Sequence, residues 1–366
     1  MKLLFSLLFA VFCFQARAFS VTRRQALVTA GATAVGTVLW QPQDAQAVDK
    51  LYTPAPQSLI GQTIVITGGT TGLGLESAKR LAIGGANIIL TARTTTKGEK
   101  AVSEVQQYLR DNGIDNPMVS YKVLNLDDLS AVKNVPELWN DVKKIDVLMN
   151  NAGVMAIPDR QLTVDGYERQ IQTNHLGHFV LTALLQPKLA PDARIVNVSS
   201  QAYQFASQMR SDQSLWEPQP NDYSPWVQYG QTKLANILFT EELQRRSEAA
   251  GKQWTVVSLH PGAVATDLGR FIAGEEKWQQ LKEGKGTFWE TFFSKALSKF
   301  ILTVPEGATT QVFLAARADK ESNMNVKGQF LDKCAVQKLP QFATDPVAAE
   351  KLWKESEEKA GITFTI

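Results

Sequence analysis

A short apolar run and a glycine-rich turn adjoin in Thr63-Ile64-Val65-Ile66-Thr67-Gly68-Gly69-Thr70-Thr71-Gly72-Leu73-Gly74. The run at 63–66 predicts a strand buried on both faces, and residues 75–83 predict the helix that follows the turn. Glycines at such a junction let the backbone approach a pyrophosphate, and a helix N-terminus offers free amide groups. The spacing is Gly-x-x-x-Gly-x-Gly rather than the commoner Gly-x-Gly-x-x-Gly. Taken alone, the segment is therefore either a dinucleotide-binding loop or a flexible turn.

The alternation of strand and helix continues along the chain. Apolar runs predict further strands at 87–90, 119–124, 147–149, 194–198 and 254–259, and helices are predicted at 97–109, 167–184 and 229–246. This pattern implies an α/β fold with a single Rossmann-type, doubly wound parallel sheet and helices on both faces. We expect one domain over residues 58–366, with ligands bound where the parallel strands end.

Residues 1–47 are interpreted as a targeting presequence rather than as part of the fold. Lys2, the apolar run at 3–14 and the small-residue site Ala16-Arg17-Ala18 are typical of a secretory signal peptide. The twin arginine Arg23-Arg24 then precedes a second apolar stretch at 26–40 and another small-residue site at 45–47. Two signals in series, with Phe19 after the first site, resemble the presequences of algae whose plastids lie inside extra membranes.

That resemblance predicts a plastid protein, in the thylakoid lumen or at the thylakoid membrane surface. The alternative is a single signal peptide followed by a membrane anchor or a disordered leader.

The composition excludes several other classes of protein. The 366 residues are 44% hydrophobic, and 38 lysines and arginines against 36 acidic residues give a net charge of +2, so we expect no nucleic-acid binding. Of the two cysteines, Cys13 lies in the presequence, which leaves Cys334 without a disulfide partner. The three histidines lack cysteine or carboxylate partners at metal-ligand spacing, so we expect no metal site.

The end of the second predicted strand indicates which dinucleotide the loop would take. A carboxylate there would bind the ribose hydroxyls of NAD, whereas an arginine can pair with the 2′-phosphate of NADP. The residues are Thr91-Ala92-Arg93, with no acid. The sequence therefore favours NADP(H); the alternative is that Arg93 is only a solvated surface charge.

A tyrosine and a lysine four residues apart are candidates for acid–base chemistry. Tyr229 and Lys233 share one face of a predicted helix, and Ser200 follows the fifth predicted strand. A free phenol has a pKa near 10, so it needs help to act as a general acid or base, and a nearby ammonium would favour the phenolate. Such a pair is common by chance, so alone it would be structural.

The motifs together resemble the short-chain dehydrogenase/reductase family from about residue 59 to the C-terminus. In chain order they are 67–74, Asn150-Asn151-Ala152-Gly153, Asn174-His175-Leu176-Gly177-His178-Phe179, Ser199-Ser200, Tyr229 with Lys233, and Pro261-Gly262 with Thr266. The retinol-dehydrogenase-like branch is the most similar, through 150–155, 174–179, 194–200, 229–239, 328–330 and 349–353.

The resemblance implies the roles of the site residues. Tyr229 would protonate the carbonyl oxygen as hydride arrives, Lys233 would lower its pKa, Ser200 would orient the substrate oxygen, and Asn174 would support Lys233 through a water. The residues that would contact the cofactor are Gly68, Thr70, Gly72, Leu73, Gly74, Arg93, Asn125, Leu126, Asn151, Ala152, Gly153, Tyr229, Lys233, Pro261, Gly262, Val264 and Thr266. One departure is Asn125, because the family usually has an aspartate there; an asparagine can still accept a hydrogen bond.

The substrate end is the least specified. Large apolar residues recur at helical spacing within 268–303, which predicts an amphipathic helix. It either packs on the core or a second subunit, or forms a lid over a lipophilic substrate with residues 286–301 on a membrane surface. A second aromatic cluster either lines the same pocket or fills a loop; its members are Tyr203, Phe205, Trp216, Tyr223 and Trp226. We expect a retinoid-, isoprenoid- or pigment-like carbonyl or alcohol, and a homodimer by analogy with the family.

Two other functions stay open. One is a light-dependent protochlorophyllide-type reductase, against which the absence of a cysteine before Cys334 in the mature chain counts. The other is a non-catalytic NADP-binding sensor or scaffold. Retention of Asn174, Ser200, Tyr229 and Lys233 counts against it.

Overall fold

The computed structural model describes residues 51–115, 117–264, 302–319 and 324–366. The predicted presequence at 1–47 lies outside the described residues. So do Thr266, residues 286–301 and all but the last two residues of the predicted lid segment at 268–303.

The described strands form one sheet in the order β3-β2-β1-β4-β5-β6-β7-β8. The strands are β1 (Thr63–Ile66), β2 (Asn87–Ala92), β3 (Val119–Val123), β4 (Ile145–Asn150), β5 (Leu189–Val198), β6 (Thr255–His260), β7 (Phe330–Asp332) and β8 (Ala335–Val336). All neighbouring pairs are parallel except β7 and β8. Because β1 pairs with both β2 and β4, the strand order reverses there and leaves a crevice at the carboxyl ends. The doubly wound sheet is confirmed.

The strands contribute side chains to two separate apolar layers, one on each face of the sheet, which explains why their apolar runs are continuous. Val65 and Leu148 point into one core cluster, whereas their neighbours Ile64, Ile66 and Val147 belong to the other. Successive residues of a strand face opposite sides of a sheet, so both faces here are covered by helices.

The described helices include those predicted at 75–83, 97–109 and 229–246, each longer than predicted, and several that the sequence pattern did not predict. They are α1 (Gly72–Ile83), α2 (Thr95–Asp111), α3 (Leu129–Lys133), α4 (Val135–Leu138), α5 (Arg169–Ile171), α6 (Gly177–Leu185), α7 (Gln213–Trp216), α8 (Pro225–Ala249), α9 (Val304–Ala315) and α10 (Pro346–Ala360). Short 3₁₀ turns lie at Gln186–Lys188, Gln201–Phe205, Pro220–Asp222 and Gln341–Ala343.

The helix predicted at 167–184 is present at 169–185 but is not a regular α-helix throughout. The Glu168 carboxylate accepts hydrogen bonds from the backbone amides of Gln170 and Ile171, so the helix begins at Arg169. A π-helical turn at Gln172–Leu176 then separates α5 from α6. Such wider turns are frequent at functional sites, and this one contains Asn174.

The C-terminal helix α10 covers the long helices on one face of the sheet. Its Trp353 lies 5.0 Å, centroid to centroid, from Phe179 of α6 and stacks on Phe364 at 4.8 Å. Within the described ranges, no helix is long and apolar enough to cross a membrane, and no three His, Cys, Asp or Glu side chains could together hold a metal ion.

Candidate active site

The four predicted catalytic residues come from three elements that meet at the carboxyl edge of the sheet. Ser200 follows β5 and caps the 3₁₀ turn, its hydroxyl accepting from Ala202 N at 3.1 Å. Lys233 lies one turn after Tyr229 on α8 and donates to Val198 O at 3.0 Å. A Cβ added at Gly153 would lie 3.2 Å from Asn174 Oδ1 and 3.8 Å from Lys233 Nζ, so these two side chains flank one glycine. The structure therefore places the predicted quartet around one edge of the sheet.

Helix α8 begins at Pro225, four residues before the predicted start at Tyr229. A proline at the first helical position loses no intrahelical hydrogen bond, because that amide has no partner in a helix anyway. The earlier start puts Tyr229 and Lys233 inside the helix rather than at its frayed end, and both are buried at 6% and 4% exposure. Their positions are therefore fixed by a full helical turn on each side.

Burial shifts the two titratable groups in opposite directions. It raises the pKa of Tyr229 to about 12, against the lowering effect of a hydrogen bond with Ser200. It lowers the pKa of Lys233 to about 8. At neutral pH the phenol is therefore protonated and the ammonium still charged, the pair of states that proton donation to a carbonyl oxygen requires.

The Asn174 side chain is fully hydrogen-bonded. Its Oδ1 accepts from Val154 N at 2.8 Å, and its Nδ2 donates to Val154 O at 2.9 Å and to Thr232 Oγ1 at 3.0 Å. Asn174 thereby ties the segment after β4 to helix α8, next to Lys233. The side chain holds two backbone segments in place, and its own orientation is fixed.

The glycine-rich turn has the shape that a dinucleotide needs. Gly68 has φ +64°, and a Cβ there would lie 2.9 Å from Ala152 Cα; a Cβ at Gly74 would lie 2.6 Å from Gly68 O. Thr71, the N-cap of α1, makes no side-chain capping bond, so the first amides of the helix stay available to an anion. The close backbone approach and these amides fit the pyrophosphate of a nicotinamide dinucleotide.

The turn is held against the strand beside it through Thr67. Thr67 Oγ1 accepts from Asn151 N at 2.9 Å and from Ala152 N at 3.0 Å, and Asn151 Nδ2 donates back to Thr67 O at 2.8 Å. The same hydroxyl lies 2.8 Å from His178 Nε2. His178 belongs to the motif at 174–179, but its pairing with Thr67, 111 residues away, could not be predicted from the sequence.

The remaining predicted cofactor residues differ in their surroundings. Arg93 follows β2 and is exposed, and Asn125 Oδ1 accepts from Asp127 N at 3.2 Å. Leu126 is a buried core residue whose Cβ packs against the Gly177 position of α6, so its side chain faces away from solvent.

The loop after β6 closes against α9. Gly262 has φ +89°, and Val264 pairs with Leu302 in an isolated bridge. Val264 and Leu73 also pack at the position of a Cβ on Gly307. Thr70 lies in the glycine-rich turn, Gly72 begins α1, and Pro261 directly follows β6, whereas Thr266 lies outside the described residues.

The aromatic cluster divides into two groups. Tyr203 and Trp216 belong to the core: Tyr203 packs on Phe330 at 5.6 Å, and Trp216 is fully buried and donates to Glu355. Trp226 instead lies 6.3 Å from the Tyr229 ring and 5.8 Å from Phe205. Trp226 therefore adjoins Tyr229, and Phe205 packs against Trp226.

Comparison with known proteins agrees with this geometry. Residues 62–212 match the family model described as short chain dehydrogenase. Retinol dehydrogenase 14 from Mus musculus is 37% identical over 84% of this chain and 88% of its own length. The chloroplastic short-chain dehydrogenase TIC 32 B from Brassica napus is 36% identical over 80% of this chain and 86% of its own.

A solved structure of an uncharacterised protein from Mycobacterium paratuberculosis is also similar. It is 33% identical, covers 87% of this chain and 98% of its own, and superposes with a TM-score of 0.63. With these identities over most of its length, the chain belongs to the short-chain dehydrogenase family and is an oxidoreductase that uses a nicotinamide cofactor.

Proposed function

We propose that the protein transfers a hydride between NADP(H) and a lipophilic carbonyl or alcohol. The observation that carries this proposal is the buried Tyr229 with the Lys233 ammonium nitrogen 5.6 Å from its ring centre, at the sheet edge that also holds the glycine-rich turn. The bound dinucleotide supplies or accepts the hydride. Tyr229 donates its proton to the carbonyl oxygen, and Ser200 hydrogen-bonds the same oxygen. Lys233 stabilises the phenolate that forms.

The preference for NADP(H) is supported by the end of β2. Thr91-Ala92-Arg93 offers no carboxylate for ribose hydroxyls, and the exposed Arg93 side chain has room to meet a 2′-phosphate. A planar guanidinium can bind phosphate oxygens through two hydrogen bonds at once.

A lipophilic substrate is supported by the rings beside the catalytic tyrosine. Phe205 and Trp226 are half-buried; Trp226 lies next to Tyr229, and Phe205 extends this aromatic pair away from it. Relatives named retinol dehydrogenase point to the same class of substrate, which includes retinoid-, isoprenoid- and pigment-like compounds. The predicted lid at 268–303 and membrane contact through 286–301 would extend this apolar surface.

We place the protein in the plastid. The two signals in series within 1–47 and the relatives named as chloroplastic support that compartment. The thylakoid step depends on Arg23-Arg24 alone. The homodimer also stays a prediction. A dimer interface formed through α8 would have to accommodate α10, because the rings of Trp353 on α10 and Phe239 on α8 lie 6.0 Å apart, centroid to centroid.

The test measures hydride transfer by residues 48–366. The absorbance of the nicotinamide reports the reaction, with either NADPH or NADH as the cofactor. The substrates range from retinal-like aldehydes to small polar ketones, and Tyr229→Phe is the control. NADPH oxidation by a lipophilic carbonyl that is lost in Tyr229→Phe supports the proposal. A preference for small polar carbonyls overturns the substrate class. Turnover only in light favours the protochlorophyllide-type reductase, and tight NADPH binding without turnover favours a sensor.

A further inference from the structure

His178 occupies the first turn of α6, one helical turn after Asn174, and is 2% exposed. Its ring nitrogens contact two different parts of the site. Nδ1 lies 3.1 Å from Asn174 O, and Nε2 lies 2.8 Å from Thr67 Oγ1 at the end of β1. The imidazole therefore bridges the helix that carries Asn174 and the strand that opens the glycine-rich turn.

Hydrogen-bond chemistry fixes the tautomer of this bridge. A backbone carbonyl can only accept, so Nδ1 carries the proton and donates to Asn174 O. Nε2 is then an acceptor, and the Thr67 hydroxyl donates to it. The two lone pairs of that hydroxyl accept from Asn151 N and Ala152 N, which uses every hydrogen-bonding position of Thr67 Oγ1.

Met149 O is the competing acceptor for the Thr67 hydroxyl proton, but at 3.3 Å it is farther away than Nε2. It already accepts from Thr67 N and Asn151 N, both at 3.0 Å. Giving the proton to Met149 O would leave the buried Nε2 without its donor, which costs more than the long hydrogen bond returns.

The imidazole is neutral across the physiological range. Burial lowers the pKa of His178 to about 4, the hydrogen bond to Asn174 acts in the opposite direction, and the Lys233 ammonium lowers it further. The bridge is therefore a permanent neutral link and does not titrate with the catalytic groups.

We infer that His178 is a positioning residue for the proposed reaction. Through Thr67 it fixes the backbone of Asn151 and Ala152, against which the Gly68 turn packs; through the Asn174 carbonyl it fixes the π-helical turn beside Lys233. It holds the cofactor loop and the proton-handling side of the site at a constant separation. This inference rests on the proposed function, because the separation matters only if hydride and proton are delivered to one substrate.

The test compares full-length variants at His178 with a matched control at His175. His175 is equally buried and lies in the π-helical turn just before α6. Its Nε2, however, pairs with Ser356 Oγ of α10 at 2.9 Å and not with the glycine-rich turn. His178→Leu removes both hydrogen bonds. His178→Asn keeps an amide donor near the Nδ1 position, and His178→Gln keeps an acceptor near the Nε2 position. We measure kcat, KM, the melting temperature and the dissociation constants of NADPH and NADH by fluorescence.

We expect His178→Leu to lower kcat on the order of 10- to 100-fold, the loss that a displacement of about 1 Å at a reacting centre produces. His178→Asn and His178→Gln recover part of that loss. His175→Leu lowers the melting temperature while kcat and the NADPH dissociation constant stay at wild-type values. Combining His178→Leu with Thr67→Val adds less than the sum of the single effects, since both variants break one linkage.

If His178→Leu changes only the melting temperature, as His175→Leu does, the inference is overturned and His178 is a core histidine. Hydrogen exchange of the Asn151 and Ala152 amides separates this from a failure of the proposed function. Without any turnover, faster exchange of these amides in His178→Leu but not in His175→Leu still supports the linkage. Unchanged exchange there refutes it.

Discussion

The ammonium nitrogen of Lys233 lies 5.6 Å from the centre of the Tyr229 ring, and one hydrogen bond, to Val198 O, anchors it to the end of β5. A charge at this distance, shielded from water, stabilises a phenolate that forms beside it. Burial opposes both charged forms, raising the pKa of Tyr229 to about 12 and lowering that of Lys233 to about 8. At neutral pH the phenol therefore keeps its proton and Lys233 is still mostly charged.

Carbonyl reduction should accordingly slow as the pH rises through about 8, because Lys233 then loses its proton while Tyr229 keeps its own. Lys233→Arg keeps its charge over the whole range, so any residual activity of that variant should show no fall near that pH. The measurement is kcat/KM for a carbonyl substrate from about pH 6 to about pH 10. A wild-type profile that stays flat through this range would contradict the role of Lys233.

Arg93 should set the cofactor preference. Arg93→Ala removes a charge-assisted hydrogen bond to a 2′-phosphate, so KM for NADPH should rise on the order of ten-fold while KM for NADH stays unchanged. Arg110→Ala, another exposed arginine farther along the same polypeptide on α2, is the matched control and should change neither constant. An equal rise for both cofactors would show that Arg93 contributes only general positive charge.

We expect alanine to be tolerated at Gly113 but not at Gly68, although both glycines have a left-handed backbone. Gly68→Ala would place a methyl group 2.9 Å from Ala152 Cα, whereas a Cβ at Gly113, with φ +74°, meets nothing within 4 Å. Gly113→Ala should therefore cost only the backbone strain, on the order of 1 kcal/mol. Gly68→Ala should also displace the segment at 151–153 and abolish NADPH binding. Urea denaturation and NADPH fluorescence distinguish the two, and normal NADPH binding by Gly68→Ala would contradict the close approach.

The sequence predicted the features that depend on short segments. Apolar runs placed β1 to β6 near their observed positions because buried parallel strands have no polar face to interrupt the pattern. The four-residue spacing placed Tyr229 and Lys233 on one helical face for the same local reason.

Features that depend on distant partners left no such signal. The β7–β8 hairpin turns through Lys333 and Cys334, which have φ of 51° and 59°. Glycine or asparagine usually occupies such positions, so the sequence shows no turn signal here. Gln311 of α9 donates to Ser77 Oγ of α1 at 2.7 Å across 234 residues, and His178 reaches Thr67 across 111. Only the assembled sheet brings these residues together, so composition and spacing could not reveal them.

We expect that removing one member of the buried ion pair between Arg194 and Asp319 destabilises the fold more than removing both. Arg194 is 1% exposed, donates to both carboxylate oxygens of Asp319 and also donates to Leu314 O at 2.9 Å. Arg194→Met leaves a buried carboxylate behind, so it should lower the free energy of unfolding by about 3–5 kcal/mol, and adding Asp319→Leu should restore much of that.

The control for this pair is Lys354→Ala, which breaks an exposed ion pair with Glu350. It should cost at most about 1 kcal/mol. Urea denaturation of the four proteins provides the comparison. A double variant that is less stable than Arg194→Met would contradict this expectation. It would mean that the two side chains stabilise the fold beyond neutralising each other's charge.

Glu168 should make the protein more stable at mildly acidic pH. Its carboxylate is fully buried, with Oε2 accepting from Gln170 N, Ile171 N and Gln228 Nε2, while Oε1 has no hydrogen-bond partner within the described part of the chain. Burial raises the pKa of Glu168 from 4.5 to about 6, against the lowering effect of these hydrogen bonds. The folded state therefore binds this proton more tightly than the unfolded chain does.

The stabilisation is complete below about pH 4.5 and is lost as the pH rises through about 6. The rise of the pKa from 4.5 to about 6 corresponds to about 2 kcal/mol. Glu168→Gln keeps an oxygen for the helix cap but cannot titrate, so the difference in unfolding free energy between wild type and variant should change by that amount across this range. Glu350→Gln is the control, because Glu350 is exposed and hydrogen bonding to Lys354 lowers its pKa. A constant difference between wild type and Glu168→Gln from acid to neutral pH would mean that Glu168 stays ionised in the fold, stabilised by its three donors.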